Sequence, residues 1–120
     1  MILGELQLLS KDINRNAKLK GFWDAAIGAE TLGNEALNNA FKAEKLALIH
    51  SEVSEALEAV RDGNPPDKHC PEFGSLEIEL ADTIIRILDF AEFYGLPRTE
   101  AIAAKMEFNA TRPFKHGRGF

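Results

Sequence analysis

The chain has 120 residues, 45% of them hydrophobic and 28% charged, with a formal net charge of −5. That length suits one domain over residues 1–120 with a real but limited core. The acidic balance argues against a protein that grips polymeric nucleic acid by broad phosphate neutralisation. A single cysteine, Cys70, excludes an intramolecular disulfide and points to a reducing, cytoplasmic setting. The N-terminus, with Glu5 early, does not read as a secretory signal, and no apolar run is long enough for a membrane span.

Ile2, Leu3, Leu6, Leu9 and Ile13 recur at helical steps, with Lys11, Asp12, Arg15 and Lys18 between them. This predicts an amphipathic helix over 2–20, ended by Gly21. Phe22 and Trp23 follow, and Gly28 and Gly33 punctuate what reads as a connecting stretch. A second helix is expected from Asn34, a good N-cap, through Leu37, Phe41, Leu46, Ile49, Val53, Leu57 and Val60 to Asp62-Gly63. Pro65, Pro66 and Pro71 make the next segment an exposed loop, because each proline removes a donor and crowds the preceding turn. The third helix begins near Ser75 and closes at Gly95; its apolar surface runs most of the way round, which predicts burial on several sides. Pro97 opens a shorter fourth helix to about Asn109, and the 110–120 tail, with Pro113, Gly117 and Gly119, reads as irregular. The expected fold is all-α, a four-helix, bundle-like protomer.

Charge interrupts these apolar helices at two places. Glu52 and Glu55 are three apart on the second helix, and Glu79 and Asp82 are three apart on the third. Each pair therefore shares a helix face. An acidic pair at this spacing is ordinarily a solvated face. Two such pairs on two strongly apolar helices set convergence level with that reading, and four converging carboxylates would repel one another severely. A divalent cation compensates that repulsion, and all-oxygen ligands suit Mg²⁺ or Mn²⁺. Glu58 and Glu77 read as plain surface charge. Lys105, Asn109 and Arg112 step by four and three residues and share a face if the last helix persists that far, with Lys115, His116 and Arg118 following. Lysine and arginine are the usual partners of phosphate oxygens. Read alone, Lys105 is also an ordinary cation near a helix C-terminus.

In order and spacing, these residues resemble the MazG-like all-α nucleoside triphosphate pyrophosphohydrolases. The Glu-x-x-Glu of that family stands here as Glu52-Val53-Ser54-Glu55, and its Glu-x-x-Asp as Glu79-Leu80-Ala81-Asp82, with 23 residues between. Leu46 to Ser51 leads into the first pair, Ala81 to Arg86 surrounds the second, and the ending Lys105, Asn109, Arg112-Pro113, His116-Gly117 looks like the family's phosphate-side signature. The likeness covers roughly residues 40–118; the first thirty residues match only as a helix followed by an aromatic turn.

The resemblance implies Mg²⁺-dependent hydrolysis of a nucleoside or deoxynucleoside triphosphate to the monophosphate and pyrophosphate, with Mn²⁺ as a substitute metal. The metal would neutralise phosphate charge and acidify the water that attacks the α-phosphorus. Glu55, Glu79 and Asp82 are the expected direct ligands. Glu52 is a fourth ligand or the general base, so that Glu52 and Glu55 form the catalytic pair. Lys105 and Arg112 would hold the outer phosphates and Asn109 a phosphate or the sugar. Trp23, with Phe22, is expected to stack on the base, against core packing as the alternative. Asn16 and Asn38 could read base edges. A homodimer or homotetramer with sites shared between chains is also implied, and the apolar third helix agrees with that.

Two other classes compete. A carboxylate-bridged di-iron bundle needs Glu-x-x-His on each of two helices, and none of His50, His69 or His116 has a glutamate three residues before it. A non-catalytic helical regulator with an acidic face predicts no Mg²⁺ dependence and no nucleotide turnover.

Overall fold

The computed structural model describes residues 3–119 and is all-helical. The helices are α1 (Leu3–Leu19), α2 (Asp24–Leu32), α3 (Glu35–Arg61), α4 (Ser75–Phe93) and α5 (Arg98–Ala110), followed by a 3₁₀ turn at Phe114–Gly117. Ile2, at the start of the expected first helix, lies outside the described residues. Four expected helices are present near their predicted bounds; α2 is the addition. Gly28 sits inside α2; an interior glycine costs a helix only about 1 kcal/mol relative to alanine, so it does not break it. Gly33 is the C-cap of α2, left-handed at φ 66°, and its N–H bonds back to the Ala29 and Glu30 carbonyls. Asn34 then caps α3, its Oδ1 accepting the Leu37 N–H at 3.0 Å.

The loop between α3 and α4 folds back through side chains. Asn64, left-handed at φ 54°, accepts the Leu76 N–H at 2.7 Å and donates to Glu77 at 2.8 Å. Glu77 also accepts the Gly74 N–H at 2.6 Å, so it fastens the start of α4 and is more than surface charge. A Cβ at Gly74 would sit 2.5 Å from the Asn64 side chain, so any side chain there would displace the Asn64 and Glu77 groups that fasten the loop. Asp67 accepts the His69 and Cys70 N–H groups, and those two bonds lower its carboxyl pKa.

The packing centre is Trp23, Ala26, Ala29, Ala56, Ala59, Leu88 and Ala91. Alanines at these positions let α2, α3 and α4 approach closely. Trp23 stacks flat on Phe93, with ring centroids 3.9 Å apart. The fully covered positions of α1 are not its leucines but Ser10 and Asn14. Ser10 accepts from Arg98 Nε at 3.2 Å, Arg98 pairs with Glu92, and Asn14 donates to Asp89 at 2.8 Å. A polar seam thus fixes α1 against α4 and α5.

The helices α3 and α4 form an antiparallel hairpin that leaves much of its apolar surface uncovered. Val53, Leu57, Val60, Leu80, Ile84 and Ile87 are all exposed, so the expected burial of the third predicted helix on several sides is not achieved within one chain. The chain exposes 8645 Å², against about 6,500 Å² for a compact chain of this mass. Its radius of gyration is 17.1 Å, against about 14 Å for a compact domain of this length. Among the described residues, no helix is long and apolar enough to cross a membrane.

Candidate functional site

Helical spacing puts Glu52 and Glu55 on one face of α3, and Glu79 and Asp82 on one face of α4. Across the antiparallel hairpin these faces meet. One carboxylate oxygen from each of Glu52, Glu55 and Glu79 lies within 4.8 Å of the other two. Asp82 stands outside that trio, one turn further along α4, where it and Glu52 line a cavity of about 460 Å³. Glu52 is 8% exposed and accepts Arg86 Nε at 2.8 Å.

The electrostatics are those of an under-compensated acidic cluster. Burial pushes the Glu79 carboxyl up to about 7, and the adjacent Glu55 and Glu52 add to the shift. Its Oε2 is buried and has no hydrogen-bond partner among the described residues. Burial also raises Asp82, with Glu52 adding to the shift and Arg86 opposing it; Asp67 and Glu55 raise it further. A buried, unpartnered carboxylate oxygen beside two more carboxylates is a donor set that fits a hard divalent cation.

The cavity extends away from the cluster along α4. Asp82, Arg86 and Asp89 step by four and three residues and all line it, spanning about 10 Å of helix. On the α3 side Lys45, Leu48 and Glu52 run in the opposite direction, and Asn16 of α1 joins from a third side. The far end is aromatic, with Phe22, Trp23 and Phe90. There the Trp23 indole N–H donates to Asp89 at 3.0 Å, and Lys45 Nζ lies 4.6 Å over the Trp23 ring while donating to the Phe22 carbonyl at 2.9 Å. The cavity therefore has Glu52 and Asp82 at one end, Arg86 between, and the aromatic rings with Lys45 and Asp89 at the other.

The remaining expected site residues lie as follows. Trp23 borders the cavity but is 1% exposed, with Phe93 against its ring, whereas Phe22 beside it is 68% exposed. Lys105, Asn109 and Arg112 are not among the cavity residues. Lys105 and Asn109 lie on α5 and Arg112 just past its C-cap, Thr111, and α5 packs on α1. Lys105 and Arg112 do share a face, both lying over the Phe108 ring, at 4.7 and 5.6 Å. Asn16 lines the cavity; Asn38 does not, and its Oδ1 is buried without a partner. The residues that sequence reasoning passed over are Lys45, Arg86 and Asp89. The available signal was the polar stripe Asp82, Arg86, Asp89 on an apolar helix, the same pattern that singled out the carboxylates. No protein family, curated protein or solved structure matches the chain.

Proposed function

We propose that the protein is a Mg²⁺-dependent nucleoside triphosphate pyrophosphohydrolase, releasing the monophosphate and pyrophosphate. The observation that carries this reading is the meeting of Glu52, Glu55 and Glu79, with an orphaned Glu79 oxygen, at the end of a cavity whose other end is aromatic. The sequence resemblance to the MazG-like family, carried largely by the same carboxylates, points the same way. Glu52, Glu55 and Glu79 would hold the metal, Asp82 would complete the set from outside that trio, and Glu52 would alternatively take the proton of the attacking water. Bound there, Mg²⁺ would supply charge neutralisation at the phosphates and an acidified water. The aromatic end would receive the base, with Phe22 offering the more open ring and Asp89 and Asn16 polar edges. The alternative, a non-catalytic helical regulator with an acidic face, predicts no Mg²⁺ dependence and no nucleotide turnover.

The test is a screen of the common nucleoside and deoxynucleoside triphosphates with Mg²⁺, run in ¹⁸O-labelled water. Pyrophosphate release with label in the monophosphate alone is expected. Release of orthophosphate, or label in pyrophosphate, would rule out attack at the α-phosphorus.

The surface left open by α3 and α4 supports a homodimer or homotetramer. The excess exposure of roughly 2,000 Å² per chain over a compact one exceeds the ~800 Å² per partner of a standard interface and is on the scale of large obligate ones. In such an assembly Lys105, Asn109 and Arg112 would serve a neighbouring chain's cavity, since in their own chain they stand outside it. Leu57→Glu and Ile84→Glu change exposed residues and should leave helicity intact while lowering the mass measured by light scattering to that of one chain. Retention of the wild-type mass by both variants would remove this face as the interface.

A further inference from the structure

The cavity holds two cations, Lys45 and Arg86, and they are not equivalent. The Lys45 ammonium is engaged by the Phe22 carbonyl and the Trp23 ring, at the aromatic end. Arg86 lies midway along the α4 stripe, four residues from Asp82 and three from Asp89. Its Nε donates to the buried Glu52 carboxylate at 2.8 Å, and neither terminal nitrogen has a hydrogen-bond partner among the described residues. The side chain remains 41% exposed. A guanidinium held by Nε is fixed in plane, and its two Nη groups form a rigid fork of the kind that matches phosphate oxygens.

We infer that Arg86 binds the substrate phosphate nearest the carboxylate cluster, with Glu52 holding the guanidinium in place for it. This rests on the pyrophosphohydrolase reading and adds to it a phosphate contact that lies inside the chain's own cavity, separate from the α5 stripe. The polarity of the cavity supports the assignment. A nucleotide with its base at the Trp23 and Phe22 end and its reacting phosphate at Glu52 and Asp82 must pass Arg86. Negative charge that grows on that phosphate during attack would fall beside a donor pair already oriented and already desolvated on one side. Arg86 then has two partners in the bound state, Glu52 through Nε and the phosphate through Nη1 and Nη2.

The experiment compares Arg86→Gln and Arg86→Lys with the wild-type protein. The substrate is whichever deoxynucleoside triphosphate the wild type turns over fastest. Binding is followed with the α,β-methylene analogue of that nucleotide, at saturating Mn²⁺. Arg86→Gln is expected to lower kcat/KM by about 10²-fold, the scale of a lost electrostatic stabiliser, and to weaken analogue binding at least tenfold. Its affinity for Mn²⁺ alone, followed by electron paramagnetic resonance, should change less than threefold. Arg86→Lys should recover only part of the loss, because a single ammonium cannot hold Glu52 and a phosphate in the same fixed geometry. Wild-type analogue binding by Arg86→Gln would overturn the inference. So would a kinetic loss that disappears at saturating Mn²⁺, since Arg86 would then act only by positioning Glu52. A wild-type protein that turns over no nucleoside triphosphate overturns the pyrophosphohydrolase reading, and the inference with it.

Discussion

Asp82→Asn and Glu55→Gln should each reduce turnover by about 10³-fold or more, beyond the 10–100-fold typical of groups that only support a metal ligand, while the helical content stays unchanged. Both substitutions keep the shape of the side chain and remove its charge. Neither carboxylate forms an ion pair that joins the helices; the one between α3 and α4 among the described residues is Glu52–Arg86. The fold should therefore survive while the cation loses a ligand. A fully active Asp82→Asn protein in Mg²⁺ would sink the metal assignment for that residue.

The same cluster sets the sign of a pH effect. The Glu79 carboxyl is raised from 4.5 to about 7 in the folded chain, by burial first and by Glu55 and Glu52 next. The folded state therefore binds more protons than the unfolded state between these values, and stability falls as pH rises through that window. In chelator the contribution is complete below about pH 4.5 and lost as pH passes 7. Thermal melts in chelator at pH 5.5 and 8 should show that decline, and Glu79→Gln should flatten it. Mg²⁺ acts in the opposite sense, because it requires the ionised carboxylate. Its stabilising effect should grow as the pH rises through 7 and should be diminished in Glu79→Gln.

Helix periodicity made α1, α3, α4 and α5 legible because each has a long apolar pattern with recognisable stop residues. It missed α2, whose nine residues are mostly small and contain Gly28; an interior glycine weakens a helix without ending it, and Gly33, which read as loop punctuation, is a helix cap. The polar seam of Ser10 and Asn14 was hidden for a different reason. Apolar periodicity identifies candidate buried faces, and a buried polar residue becomes visible only with its partner, here Arg98 or Asp89. Within the site, the i, i+3 carboxylates were legible because local helix geometry fixes their common face. The place of Lys105 and Arg112 was not, since spacing determines a shared face but not what that face meets. Arg86 and Asp89 were present in the pattern around Asp82, yet their role depends on Glu52, Asn14 and Trp23, all distant in sequence.

Trp23→Ala should destabilise the protein by about 3–5 kcal/mol, the cost of removing a large buried aromatic, and this effect separates two roles for the ring. Trp23 is 1% exposed, stacked on Phe93 and edge-on to Tyr94. Its indole N–H is one of two side-chain donors to Asp89, the other being Asn14. Removing the ring therefore opens a cavity and also strips a donor from a partly buried carboxylate. Trp23→Phe isolates the second loss: it keeps most of the stacked area and should cost about 1–3 kcal/mol for the Asp89 acceptor left short of a partner. If the packed ring serves mainly to shape the aromatic end, both variants should lower affinity for every base alike, in step with their stability. Phe22, exposed at the same end, should behave differently. Phe22→Ala should change thermal stability little and shift KM unequally among bases, because an open ring can stack while a covered one cannot. Urea unfolding of the three variants, set beside KM for a purine and a pyrimidine nucleotide of the same sugar, makes the comparison. A Trp23→Phe protein with wild-type stability and altered base preference would return the stacking role to Trp23 and require its ring to uncover on binding.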